Sequence, residues 1–119
     1  CSVEKEGEES MREEQAVVAE FVHAHGLETD GWVRFLDLVS ELGELSKELL
    51  KVSDYGKLPL TATDAMKDEL GDCMFSLLCL CGVLELDAKD ALDGALAKYE
   101  RRIAQYGEAG QRDAAPESR

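Results

Sequence analysis

The sequence predicts an all-α fold, a four-helix antiparallel bundle completed by homo-oligomerisation. Three observations carry this expectation. Apolar residues recur at helical spacing in four segments, helix-capping residues punctuate those segments, and no useful strand-like alternation occurs in the 119 residues. A chain of this length makes one domain with a modest core. That domain is expected over residues 11–107, between a glutamate-rich leader at 1–10 and a polar tail at 108–119, both read as disordered.

The first helix is expected to open on the capping-box pair Ser10 and Glu13. It should run through Ala16, Val17, Ala19, Phe21 and Val22 and close at Gly26. His23 and His25 stand two apart and point to different sides of a helix, which reads as a partly exposed helix end rather than half a metal site. Asp30 can cap a second helix carrying Phe35, Leu38, Leu42, Leu45, Leu49 and Val52 on one stripe. Residues 53–63 hold Gly56 and Pro59 and two threonine caps, so the chain should turn and restart near Thr61 or Thr63. The third helix should reach about Glu85, and from Cys73 onward it is apolar nearly all round. A helix of that kind must be covered on most sides, and a second subunit is the expected remaining wall. The apolar run at 73–84, broken only by Ser76 and Gly82, is too short to span a bilayer. Asp87 then caps a fourth helix with Ala88, Leu92, Ala95, Tyr99, Ile103 and Tyr106 on one stripe, ending by Gly107.

The net charge of -13 would repel phosphates and anionic membranes, so no nucleic acid and no membrane is expected as a partner; cations are the natural guests. A high-salt habitat accounts equally well for the overall charge, but not for where paired acids sit. The four cysteines (Cys1, Cys73, Cys79, Cys81) form neither a zinc-type pair nor a secreted-style framework. With no signal-peptide pattern in these residues, reduced thiols in a cytoplasmic protein are the expectation.

One phrase occurs twice: Glu-Leu-Gly-acid at 41–44 and again at 69–72. A glycine inside a helix costs roughly 1 kcal/mol relative to alanine, and clustered acids repel, so both copies are locally unfavourable. Residues three apart on a helix lie about 60° from one another. Glu41 and Glu44 therefore share a face, with Glu48 between them in projection, and Glu69 with Asp72 repeats the arrangement. If the second and third helices pack antiparallel, the two pairs flank one seam and converge. Four carboxylates at one point stay ionised only around a cation. Oxygen-only ligands favour Mg²⁺ or Mn²⁺, and the aspartate spacing of a calcium loop is absent. Gly43 and Gly71 suggest close approach of a neighbouring helix. On the fourth helix Lys98 and Arg102, one turn apart with Arg101 beside them, can grip phosphate oxygens, although cations near a helix C-terminus are also favoured by the dipole alone.

Glu41-x-x-Glu44, a gap of 24 residues, then Glu69-x-x-Asp72 resembles the signature of the MazG-like all-α nucleoside triphosphate pyrophosphohydrolases. "LAKYERRI" at 96–103 is similar to that family's basic segment. The resemblance covers roughly residues 11–106. It implies hydrolysis of a nucleoside triphosphate between its α- and β-phosphates, giving the monophosphate and pyrophosphate with Mg²⁺. It further implies that Glu41, Glu44, Glu69 and Asp72 ligate the metal, that one of these glutamates takes a proton, and that Lys98 and Arg102 hold phosphates. A homodimer or homotetramer whose sites use helices from two subunits follows from the same resemblance. Ser40 and Ser76 depart from the family pattern and leave base and sugar preference open. Trp32 stands ready either to stack on a base or to pack in an interface. Two other readings stay open: a phosphoribosyl-ATP pyrophosphohydrolase of the same superfamily, and a helical dimerisation module whose acids only solubilise it.

Overall fold

The computed structural model describes the backbone of residues 2–107 and the side chains from residue 11 onward. Cys1 and the expected tail at 108–119 lie outside the described residues. Four helices follow in order, α1 (Ser2–Ala24), α2 (Gly31–Val52), α3 (Asp64–Val83) and α4 (Ala88–Tyr106), with no strand among the described residues. The chain is all-α, as the periodicity requires.

Local chemistry sets most helix ends. The Asp30 carboxylate accepts from the Val33 amide at 2.9 Å and starts α2. Thr63 Oγ1 accepts from Met66 at 3.1 Å and starts α3. Asp87 accepts from the amides of Lys89 and Asp90 and starts α4, which ends on left-handed Gly107 (φ 77°), a conformation glycine adopts without strain. α1 begins at Ser2 rather than at the Ser10 capping box, so the backbone of the acidic leader belongs to this helix. Glutamate, frequent in the leader, is a good helix former and overrides the local start signal.

α2 and α3 form an antiparallel hairpin. At its base Gly31 faces the end of α3, where an added Cβ would lie 3.6 Å from Val83 and 3.7 Å from Leu84. At its tip Ser53 is buried, its hydroxyl donating to the Leu49 carbonyl and accepting from Gly56, and this holds the turn through left-handed Asp54 and Tyr55. α1 packs on α3, with Phe21 edge-on to Phe75 at 6.0 Å between ring centroids. α4 packs on α1 around its own first turn. There Arg12 pairs with Asp87 at 3.0 Å and Asp90 at 3.1 Å, while the Gln15 amide donates to the Leu86 carbonyl and accepts from the Ala88 amide. Main packing therefore runs α2 to α3 to α1 to α4.

The buried apolar core of the described residues is small: Met66, Cys73 and Cys79, all on α3. The other side of α3 is open, with Met74 61% and Leu77 47% exposed, and α4 likewise exposes Leu92, Leu96 and Ile103. One chain thus covers α3 on one side alone. Gly43 and Gly71 also face open space, since a Cβ at either would meet nothing within 4 Å. Among the described residues, the close helix approach that the two glycines suggest is absent, because each lies on an outward surface of the hairpin. No helix among the described residues is long and apolar enough to cross a membrane.

Candidate metal centre

Halfway along the hairpin, α2 and α3 bring three acids together. One carboxylate oxygen from each of Glu41, Glu69 and Asp72 lies within 4.8 Å of the others. Glu41 and Glu69 are half-buried and Asp72 is exposed, so the cluster sits at the mouth of the seam, where a solvated ion can enter. The helices position it simply. Glu41 stands at the edge of the α2 leucine stripe, Glu69 and Asp72 share one face of α3, and antiparallel packing carries the two edges to one place.

Glu44 is outside this group of three. It lies on the same α2 stripe, but its carboxylate is 3.5 Å from Lys47, and Glu48 is 3.2 Å from Lys51 in the same way. Both lysines are well exposed, so these are weak surface pairs that a stronger cation can displace. The carboxyl of Glu69 is held above its ordinary value of 4.5, by partial burial first and then by Asp72, Glu41, Glu44 and Glu48. All five acids therefore share one field. The Cys73 thiol beside them is pushed up by burial first, then by Glu41, Asp72 and Glu69, and stays protonated. The donor set is thus hard oxygen only, which suits Mg²⁺ or Mn²⁺ and not a thiolate-seeking ion.

The other candidates lie elsewhere. Lys98 and Arg102 are half-buried on α4, with Lys98 Nζ 5.2 Å from the Tyr99 ring centroid. Among the described residues no ion pair or hydrogen bond joins Lys98, Arg101 or Arg102 to the acid cluster. Trp32 is 75% exposed near the base of the hairpin, edge-on to Phe35 at 6.4 Å. Its separation from Glu41 along α2 is about 13 Å. His23 pairs with Glu28 and His25 lies tilted against the Phe21 ring, so both are engaged away from the cluster. Sequence reasoning passed over two features. Val17, Val18, Phe21 and Phe75 wall a recess of about 350 Å³ that Asp72 borders, and Arg34 is buried between the helices.

Residues 34–106, well over half of the chain, match the MazG nucleotide pyrophosphohydrolase domain. The chain belongs to that family. The MazG match takes in all four acids of the repeated phrase together with α4. Among curated proteins the chain is similar to the uncharacterized protein YpjD of Bacillus subtilis (strain 168), 37% identical over 68 residues. That match covers 55% of this chain and 60% of YpjD, so it spans less than two thirds of that relative. No solved structure matches the chain.

The raised Glu69 carboxyl has a testable consequence for this MazG domain. Above 4.5 and up to its folded value, the native state holds the Glu69 proton more tightly than the unfolded chain does. Stability of the metal-free protein therefore falls as pH rises through that window. In EDTA at neutral pH, Glu69→Gln should melt above wild type and lose part of this slope; added Mg²⁺ should reverse the ranking. Melting curves at several pH values check both.

Proposed function

We propose that the protein is a Mg²⁺-dependent nucleotide pyrophosphohydrolase, cleaving nucleoside or deoxynucleoside triphosphates between the α- and β-phosphates to the monophosphate and pyrophosphate. The observation that carries this reading is the convergence of Glu41, Glu69 and Asp72 on one hairpin of a MazG chain. Glu41, Glu44, Glu69 and Asp72 would hold the cation, with Glu44 leaving its weak pair with Lys47. When bound, the cation supplies charge neutralisation at the phosphoryl oxygens and makes water more acidic. The chain's own residues do the rest. The crowded carboxylates would hold that ion at the mouth of the α2–α3 seam, where a phosphate can approach it. One of the glutamates accepts the proton of the attacking water.

Lys98 and Arg102 hold the departing pyrophosphate in this reading, and they come from a second copy. Two facts favour that origin: α4 packs on α1 without pairing to the cluster, and α3 and α4 both leave apolar stripes exposed. A homodimer or homotetramer would cover those stripes, and a helix of the partner would pass close to Gly43 and Gly71. Trp32, so exposed in one chain, would meet the partner or its nucleotide. Free thiols at Cys73, Cys79 and Cys81 are in keeping with a cytoplasmic setting.

A panel of common nucleotides together with phosphoribosyl-ATP, read as pyrophosphate release in Mg²⁺ and in EDTA, tests the proposal. The expected result is Mg²⁺-dependent release from at least one triphosphate. Release from phosphoribosyl-ATP alone would move the protein to the neighbouring enzyme of the superfamily. No release at all, together with no stabilisation by Mg²⁺ beyond matched ionic strength, would leave a helical dimerisation module.

A further inference from the structure

Arg34 is the one charged side chain buried among the described residues, with 9% of its side chain exposed. It touches three elements. One guanidinium nitrogen, Nη2, donates to the Leu27 carbonyl in the α1–α2 connection at 2.5 Å. The other, Nη1, lies 3.7 Å from Asp37 one turn along α2. The guanidinium carbon stands 6.0 Å from the ring centroid of Phe75 on α3, at the limit of a cation–π contact. Phe75 in turn packs on Phe21 of α1.

Its place along the hairpin gives this contact a meaning. Arg34 precedes Glu41 by two helical turns and falls about 20° from it in projection, so both face α3. Phe75 follows Asp72 by one turn. The Arg34–Phe75 contact therefore lies two turns from Glu41 on α2 and one turn from Asp72 on α3, the guanidinium reaching along the seam toward the acids. Apolar packing alone specifies such a register weakly, because sliding α2 by one turn, about 5.4 Å, still sets its leucines against the small and flexible Met66, Cys73 and Cys79 face of α3. The same slide would part carboxylates that now lie within 4.8 Å, and their mutual repulsion pushes that way. A buried guanidinium resists it: Leu27 is tied to α1 through its amide, which donates to the Val22 carbonyl, so sliding α2 would draw Arg34 off that acceptor and off the Phe75 ring.

We propose that Arg34 is a positioning residue for the metal centre: it locks α2 on α3 in the register that brings Glu41 to Glu69 and Asp72. This rests on the reading of those acids as a divalent-cation site. The residue touches no ligand itself and acts through the hairpin.

Arg34→Met keeps length and apolar packing and removes the charge. Arg34→Lys keeps the charge but not the planar fork that serves Leu27 and Asp37 together. Mn²⁺ affinity of the full chain, measured by electron paramagnetic resonance, is the readout, with melting in EDTA beside it. Arg34→Met should weaken Mn²⁺ binding at least about tenfold, the lower end of the range in which lost support of metal ligands acts, and Arg34→Lys should weaken it by a smaller but measurable factor. A residue that merely stabilised the fold would lower melting and leave the affinity of the folded protein unchanged. Wild-type affinity in either folded variant overturns the role of Arg34, and Arg34→Lys decides the matter if Arg34→Met does not fold. A wild-type protein that binds no Mn²⁺ refutes the cation site itself and this inference with it.

Discussion

Asp72→Asn and Glu41→Gln should each lower turnover at least about a hundredfold while leaving helix content unchanged. Both substitutions keep side-chain size and remove one negative charge from a cluster whose oxygens lie within 4.8 Å. A catalytic cation contributes several kcal/mol to the transition state, and each 1.36 kcal/mol is about tenfold in rate. Weakening its hold by one of three converging carboxylates therefore costs orders of magnitude. Circular dichroism should report intact helices, because neither side chain belongs to the buried core of Met66, Cys73 and Cys79. Excess Mg²⁺ should recover part of the lost rate if affinity is what fell. Near-wild-type turnover in either variant would remove that residue from the site.

Mixing two inactive variants should restore activity. On the proposed reading, Asp72→Asn lacks a metal ligand, whereas Lys98→Met combined with Arg102→Met lacks the phosphate grip. If each site takes its acids from one copy and its basic residues from the other, a mixed dimer holds one fully intact site and one doubly damaged site. Random exchange makes half of the dimers mixed, so recovery to about a quarter of wild-type activity is expected for a two-fold symmetric assembly. Light scattering should report at least a dimer at micromolar concentration, since Met74, Leu77, Leu92 and Leu96 need a cover. A mixture as inactive as its parents would mean that each chain builds its site alone, and a stable monomer would say the same by another route.

What the sequence discloses about this fold is the chemistry that acts over one or two turns. Asp30, Thr63, Asp87 and Gly107 mark helix ends because each contact closes within three or four residues. The repeated acid phrase discloses its shared face for the same reason, through helix geometry alone. Which acids meet across the seam depends on how far apart the helices stand and how each is rotated. Glu44 illustrates this: on the wheel it matches Glu41, yet its carboxylate turns to Lys47. Arg34 was invisible for a related reason. A lone arginine on an amphipathic helix reads as a solvated charge until the Leu27 carbonyl and the Phe75 ring are brought to it from other elements. Gly43 and Gly71 mark the outer boundary of what one chain explains, since the space beside them is open.

The most direct measurement of the central claim follows the oxygen. If the cluster on α2 and α3 directs water to the α-phosphorus, a triphosphate hydrolysed in oxygen-18 water should give monophosphate and pyrophosphate in equal amounts, with the label on the monophosphate. If Lys98 and Arg102 meet charge that builds on the departing pyrophosphate, their neutralisation should slow turnover as well as binding. Mass spectrometry of the two products reads the outcome in one experiment. Label in the pyrophosphate, or orthophosphate as the first product, would contradict the assignment even in a protein that binds Mg²⁺.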